Sequence, residues 1–288
     1  MIVDVYEYFK RHPKYNKLVG NDYLFVEYKC PINVEEYQLW TESHLITYVI
    51  NGKKDWVSTD KTYEIQKGDA LFVRKGVYST RQYLEVDYCV ILFFINDDFI
   101  RNFINENQLN PIDNNQQEHD PIFEIDVSDS LESLIHSVFN YLKEGGDIPK
   151  GLVEIKFKEL MFNIILNPKN RKLVQYFGSL NQGSKTDLEY TLLKNFQYDL
   201  SLEDFAKLCG RSLSTFKRDV KAFFNETPGN FLKNKRLEFA KSLLKSSDLS
   251  VNEVCYESGF KNPSHFNKIF KDKYQLPPNQ YRLLHGNS

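Results

Sequence analysis

The sequence predicts an α+β chain. A strand-rich N-terminal part with two following helices precedes an all-α part of two helix-turn-helix units joined by a linker helix. Three observations predict it. Short apolar runs broken by turn residues fill the chain to about residue 110, and two stretches of helical periodicity follow at about 129–166. From Ser201 onward the chain repeats itself at an offset near 50 residues. A length of 288 residues suits two domains, expected at 1–177 and 187–288 with a linker at 178–186.

In the first part, HLITYVI and KKDWVS flank Asn51-Gly52, a two-residue turn signal between extended segments. TYEIQ and ALFV flank Lys67-Gly68-Asp69 in the same way. The longest apolar run, Tyr88 to Ile95, is far too short for a bilayer and suits a buried strand. Short strands with regular turns imply a sandwich or small barrel. Asn105 to Asp120 is polar and reads as a loop.

The first helix is expected over Asp129–Lys143, with Leu131, Leu134, Ile135, Val138, Phe139 and Leu142 on one stripe. The second covers Leu152–Leu166 and stops at Asn167-Pro168. Its apolar residues occupy most of its girth, so it packs on the strands or forms a homodimer interface through 152–166. Gly178 to Ser184 is small and polar, as a linker should be.

The N-terminus has no apolar segment after a basic start, so a cytoplasmic protein without membrane attachment is expected. Cys30, Cys89, Cys209 and Cys255 are widely spaced and read as reduced, buried small hydrophobes. The net charge of −2 hides an asymmetry: Ser184–Ser288 holds 17 Lys and Arg against 12 Asp and Glu, and the rest 20 against 27. A basic segment attached to an acidic one fits a nucleic-acid reader joined to a second module.

The repeat is specific. SLEDFAKLCG (201–210) matches SVNEVCYESG (250–259), and beyond the glycines Phe216, Val220, Phe224, Pro228 and Phe231 match Phe266, Phe270, Tyr274, Pro278 and Tyr281. The two units lie at about 201–224 and 250–274. Ser201 and Ser250 suit N-caps, with Asp204 and Glu253 at the capping-box position. Gly210 and Gly259 suit the left-handed residue that ends each first helix, and Ser212 and Asn262 cap each second helix. Phe205, Leu208, Val254 and Cys255 face inward. So do the pairs Phe216/Val220 and Phe266/Phe270, each four residues apart. A connecting helix at about Asn230–Lys245, with Leu232, Phe239, Ala240, Leu243 and Leu244 as its stripe, spans ~22 Å by helical rise.

The outer face of each second helix then carries Ser214, Lys217, Arg218 and Lys221, or Ser264, Asn267, Lys268 and Lys271. Arg and Lys suit guanine edges, Asn suits adenine, Ser suits either, and Lys also suits phosphates. The partner implied is double-stranded DNA, read as an asymmetric site because the two faces differ.

FAKLCG, STFKR, TPGNFLKNKRLEFAKSLL, VNEVCYESGF, PSHFNKIFK and PPNQYR together resemble the DNA-binding domain of the AraC/XylS transcription regulators, over about 100 residues from Asp187 to Arg282. The resemblance implies base reading by Ser214, Lys217 and Arg218 from the first unit and by Ser264, Asn267 and Lys268 from the second. Phosphate contacts are expected at Thr215, Lys221, Lys261 and Lys271. It also implies an activator that engages RNA polymerase and answers to a small-molecule or protein effector. Asp219 stands where the family often has an apolar residue, and Pro263 opens the second reading helix without a donor.

The N-terminal part resembles the cupin-like β-barrel sensor of this family. Gly68-Asp69 through Arg74-Lys75-Gly76 to Ser79 follows the second cupin motif, with Ser79 where enzymatic cupins hold a metal-binding His, and His44 stands alone near the first motif. No metal, cofactor or catalytic residue is therefore expected. Tyr23, Phe25, Trp40, Tyr48, Trp56, Phe72 and Tyr88 offer material for an apolar pocket, but strand aromatics usually form core, and no ligand residue is assigned. Two other readings compete: a cupin-type enzyme with an attached DNA module, which lacks its ligand set here, and an N-terminal protein-docking module. A P-loop, a dinucleotide glycine motif and a nucleophile elbow are all missing.

Overall fold

The computed structural model describes residues 3–20, 23–29, 36–58, 61–83, 87–109, 120–144, 148–180 and 185–285. The chain divides into two units, Met1–Gly183 and Ser184–Ser288. No described helix is long and apolar enough to cross a membrane.

The first unit runs β1 (Val3–Asp4), α1 (Val5–Arg11), β2 (Lys17–Val19), β3 (Tyr23–Lys29), β4 (Glu36–Thr41), β5 (His44–Asn51), β6 (Lys53–Val57) and β7 (Thr62–Gln66). It continues through β8 (Ala70–Val73), β9 (Gly76–Gln82), β10 (Cys89–Ile95), α2 (Asp97–Glu106), β11 (Ile122–Ile125), α3 (Asp129–Glu144), α4 (Lys150–Ile165) and α5 (Arg171–Ser179). The strands form two sheets, ordered β1-β4-β9-β6-β7 and β11-β8-β5-β10-β3-β2.

Both turn signals mark a change of sheet. Asn51-Gly52 joins β5 to β6 and Lys67-Gly68-Asp69 joins β7 to β8, and in each case the two strands lie in different sheets. Gly52 has φ +80°, and a Cβ there would stand 2.8 Å from the Asp87 carbonyl oxygen. The glycine is needed because backbone passes close by.

Strand β10 shows why its run is apolar on both faces. Val90, Leu92 and Phe94 pack between the sheets with Leu24, Val26 and Trp56. Ile91, Phe93 and Ile95 face the other way, into a core closed by the helices. There the Phe157 ring of α4 lies 4.1 Å from Phe25 and 4.4 Å from Tyr23, centroid to centroid. Helix α4 thus packs on the strand unit through Val153, Phe157, Leu160, Met161 and Ile164, while Ile155 and Leu166 are exposed. Of the aromatics considered for a pocket, Tyr23, Phe25, Tyr48 and Phe72 belong to this helix-side core, Trp56 and Tyr88 lie between the sheets, and Trp40 is buried.

The expectation of strands alone up to residue 110 is corrected by α1 and α2. Each begins at a side-chain cap: Asp4 accepts from the Tyr6 and Glu7 amides, and Asn96 from that of Phe99. Helix α2 also replaces the first residues of the expected 105–120 loop, most of which lies outside the described residues. Helix α5, beyond Pro168, is a further element that the sequence pattern does not announce. It runs to Ser179 and ends on buried Leu180, so Gly178–Leu180 belong to the first unit, not to a linker. Leu173, Tyr176 and Phe177 anchor it.

A buried polar cluster ties α2 and α5 to the sheet. His44 donates from Nε2 to Asp97 at 2.7 Å, and the Lys75 ammonium donates to the other Asp97 oxygen at 2.6 Å. The Lys75 amide donates to His44 Nδ1 at 3.2 Å, which fixes the Nε2–H tautomer of a neutral ring. The Tyr176 and His44 rings meet nearly perpendicular, and the Arg74 guanidinium lies 4.3 Å from the Tyr176 ring centroid. His44 is therefore a structural histidine, and among the described residues no three His, Cys, Asp or Glu side chains group as a metal site. Cys89, Cys209 and Cys255 are buried thiols with no disulfide among the described residues; Cys30 lies outside them.

Candidate nucleic-acid interface

The second unit is helical: α6 (Lys185–Asn195), α7 (Leu202–Leu208), α8 (Leu213–Phe224), α9 (Pro228–Ser246), α10 (Val251–Glu257), α11 (Pro263–Tyr274) and α12 (Pro278–His285). Helices α7 and α10 each open with a reciprocal capping box. The Asp204 amide donates to Ser201 Oγ at 3.1 Å while Asp204 accepts from the Ser201 amide at 3.0 Å. Glu253 and Ser250 do the same at 3.2 and 2.6 Å. The shorter Asp reaches its partner as well as Glu does. Gly210 (φ +63°) and Gly259 (φ +85°) end these helices, and Ser212 and Asn262 cap α8 and α11.

Two separate cores hold the units. Phe205, Ala206, Phe216 and Val220 pack with Leu188, Leu192, Phe231 and Leu232. Val254, Cys255, Phe266 and Phe270 pack with Leu237, Ala240, Leu244 and Tyr281. Helix α9 therefore serves both, its N-terminal half in the first core and its C-terminal half in the second. That division explains why a single stripe omits Leu237, and Phe239 instead lies half-buried, edge to face with Phe196. At 19 residues α9 is about 28 Å long by helical rise.

The two turns differ. The first, Gly210-Arg211-Ser212, is one residue shorter than the second, Gly259-Phe260-Lys261-Asn262. In the first, Arg211 Nε donates to Asp219 at 2.9 Å and its terminal nitrogen to the Cys209 carbonyl at 2.9 Å. In the second, Phe260 packs on Phe266, and Ile269, the counterpart of Asp219, joins the apolar core. An ion pair thus replaces an apolar contact in the first unit, and sequence reading missed it because the partners lie eight residues apart across the turn. Replacing Asp219 by Ala removes the carboxylate that faces the largely buried Arg211 head and is expected to cost about 1–3 kcal/mol. Urea denaturation followed by helical circular dichroism tests this; an unchanged midpoint would show that Arg211 does not depend on Asp219.

Around these cores Ser214, Lys217, Arg218 and Lys221 of α8 are exposed, and Thr215 is half-buried. Ser264, Asn267, Lys268 and Lys271 of α11, and Lys261 of the second turn, are also exposed. Some already have local partners. Ser212 Oγ lies 3.1 Å from Ser214 Oγ and donates to Thr215 Oγ1 at 3.0 Å. Arg218 Nε is 3.5 Å from Asp219, and Lys261 is 2.6 Å from Asp199. The Arg218 and Lys261 heads remain largely in water, where such pairs are weak.

Residues 44–176 match the family described as ExsA N-terminal regulatory domain, and residues 205–283 match the helix-turn-helix domain family. The thermoregulatory protein LcrF of Yersinia pestis is 23% identical over 238 residues, covering 82% of this chain and 87% of LcrF. The HTH-type transcriptional regulator ExsA of Pseudomonas aeruginosa is 22% identical over 258 residues, covering 88% and 91%. An HTH-type transcriptional regulator of Haemophilus influenzae is 40% identical over 91 residues, covering 32% of this chain and 30% of its own length. With the duplicated helix-turn-helix units, these matches establish that the chain belongs to the AraC/XylS family of DNA-binding transcription regulators.

Proposed function

We infer that the chain is a transcription activator of the cytoplasm that reads an asymmetric DNA site with α8 and α11 and is controlled through its N-terminal unit. The observation that carries this reading is the pair of exposed, chemically different helix faces on two separately cored units sharing one helix. Ser214, Lys217 and Arg218 read bases on one side and Ser264, Asn267 and Lys268 on the other; Thr215, Lys221, Lys261 and Lys271 hold phosphates. The match of residues 44–176 to a regulatory-domain family supports an effector, small molecule or protein, acting there. The relative ExsA is named as a transcriptional regulator, and a relative from Yersinia enterocolitica as a virulence regulon transcriptional activator, which supports activation through RNA polymerase. The two sheets, antiparallel apart from the β1–β4 pair, support a cupin-like sensor. A homodimer through the outward side of α4, where Ile155 and Leu166 are exposed, completes the reading, and sedimentation of the full chain tests it.

A genome-wide map of bound DNA supplies the operator. On that operator Arg218→Ala is expected to cost about 1–3 kcal/mol and to relax preference at one base. Equal weakening on operator and random DNA would remove Arg218 from base reading. Lys271→Ala should weaken both alike and flatten the salt dependence by about one unit of slope.

A further inference from the structure

We propose that Asn234 and Arg236, on opposite faces of α9, are positioning residues that fix the angle between the two reading helices and thereby set the half-site spacing the chain accepts. The inference rests on the reading that α8 and α11 both read DNA, and it names what holds them in register. The two cores divide α9 between them. Phe231 and Leu232 serve the first, Leu237, Ala240 and Leu244 serve the second, and no described residue belongs to both. The turn of helix in between, residues 233–236, is exposed or half-buried and polar. A helix of this length is free to curve. Its own stiffness therefore does not settle the angle between the two helix-turn-helix units.

Residues 234 and 236 are ~200° apart around the helix, so their side chains leave it on opposite sides. On one side the Arg236 fork takes two backbone carbonyls, Phe196 through Nε at 2.6 Å and Tyr198 through a terminal nitrogen at 3.0 Å. Between them the Gln197 carbonyl lies against Gly259, in the turn ahead of α11, and Lys261 of that turn pairs with Asp199 at 2.6 Å. Arg236 thus holds the α6–α7 connection at the place where the second unit's turn rests on it. On the other side Asn234 Nδ2 donates to Glu226, just past the end of α8, at 2.7 Å. Its Oδ1 accepts from Lys273 of α11 at 3.2 Å, and Lys273 also lies 3.5 Å from Glu238, one turn further along α9. An amide serves both at once, as donor to a carboxylate and acceptor from an ammonium. Asn234 therefore joins the far ends of the two reading helices through the helix they share.

The test titrates the full chain with operator duplexes whose two half-sites, one for each reading helix, are at native spacing, one base pair closer or one further apart. One base pair moves a half-site by ~3.4 Å and turns it by ~35° about the DNA axis. The unaltered chain should bind the native spacing about tenfold tighter or more than either altered one. The double variant Asn234→Ala/Arg236→Met should narrow that ratio to about threefold or less, with base preference inside each half-site kept. Arg236→Lys, which keeps the charge but not the fork, should fall between. A folded double variant that keeps the ratio, at full affinity or with equal weakening at every spacing, overturns the proposal. A double variant that loses helical circular dichroism also overturns it, because units with their own cores should fold without these clasps. An unaltered chain indifferent to spacing gives a different result: it overturns joint reading by α8 and α11, on which the proposal rests.

Discussion

Replacing Asp97 by Ala is expected to destabilise the first unit by about 3–5 kcal/mol, the cost of breaking a buried ionic cluster from one side. The carboxylate sits in the first turn of α2 and answers two buried donors from other elements, His44 of β5 and Lys75 ahead of β9. Without it the Lys75 ammonium, 12% exposed, and the fully buried His44 ring lose their acceptor together. Burial works against the charged form of Asp97, but the neighbouring Lys75 ammonium and the His44 hydrogen bond outweigh it and hold the carboxyl well below the usual carboxylate range. Burial lowers the His44 pKa from 6.5, more than the Asp97 hydrogen bond raises it. Both groups thus bind fewer protons folded than unfolded over their windows, so each gives stability that acid removes. The His44 contribution declines as pH falls below about 6.5, and the Asp97 contribution declines from about 3.8 down through its lowered folded pKa. Asp97→Ala should flatten the lower window, and Asp97→Asn, which keeps an acceptor for His44, should fall between. Both tryptophans, Trp40 and Trp56, lie in the first unit, so their emission during urea unfolding reads that unit alone. A loss below 1 kcal/mol would mean that Lys75 and His44 reach other acceptors without strain.

None of that cluster was legible in the sequence, and the reason is distance along the chain. Asp97 and His44 are separated by 53 residues, and nothing local to either specifies the other. What sequence did reveal was periodic or self-contained. The two-faced apolar run of β10, both capping boxes and the glycine stops are each decided within ten residues or fewer. The repeat made the second unit legible as a pair. Helices α1, α2 and α5 escaped because aromatic and β-branched residues in short helices mimic strand composition, and the side-chain capping signal is a single residue in α1 and α2 and is lacking in α5. The turn signals at Asn51-Gly52 and Lys67-Gly68-Asp69 were real turns, but sequence shows a turn's geometry and not which strand receives the chain afterwards. In the candidate interface the exposed faces followed directly from helical spacing. The polar contacts that set them, Arg211 with Asp219 and Lys261 with Asp199, depend on turns and so stayed hidden.

Gly259→Ala is expected to cost the second unit about 2–5 kcal/mol and to reduce operator binding more than non-specific DNA binding. Two effects add. The residue has φ +85°, where an L side chain costs about 1–2 kcal/mol. A Cβ would also lie 2.4 Å from the Gln197 carbonyl oxygen and 2.9 Å from its carbon, and backbone cannot swing aside as a side chain does. Overpacking of that kind adds about 1–3 kcal/mol. Gly68 is the internal control: it has φ +91° with nothing within 4 Å of its Cβ position, so Gly68→Ala should show the conformational cost alone. The functional consequence follows from what lies at the contact. Arg236 of α9 donates to the Phe196 carbonyl at 2.6 Å and to the Tyr198 carbonyl at 3.0 Å, pinning the connection between α6 and α7 against the shared helix. Gly259, in the turn ahead of α11, rests on that same connection. The contact therefore sets how the second reading helix lies relative to the first core, and a methyl group there must push the two apart. Phosphate contacts tolerate such a shift, but the simultaneous base reading proposed for α8 and α11 would not. Thermal unfolding by helical circular dichroism, paired with titrations on operator and random DNA, measures both parts. A Gly259→Ala chain that melts as Gly68→Ala does, with its DNA preference intact, would show that the turn and the 196–198 connection are not mechanically joined.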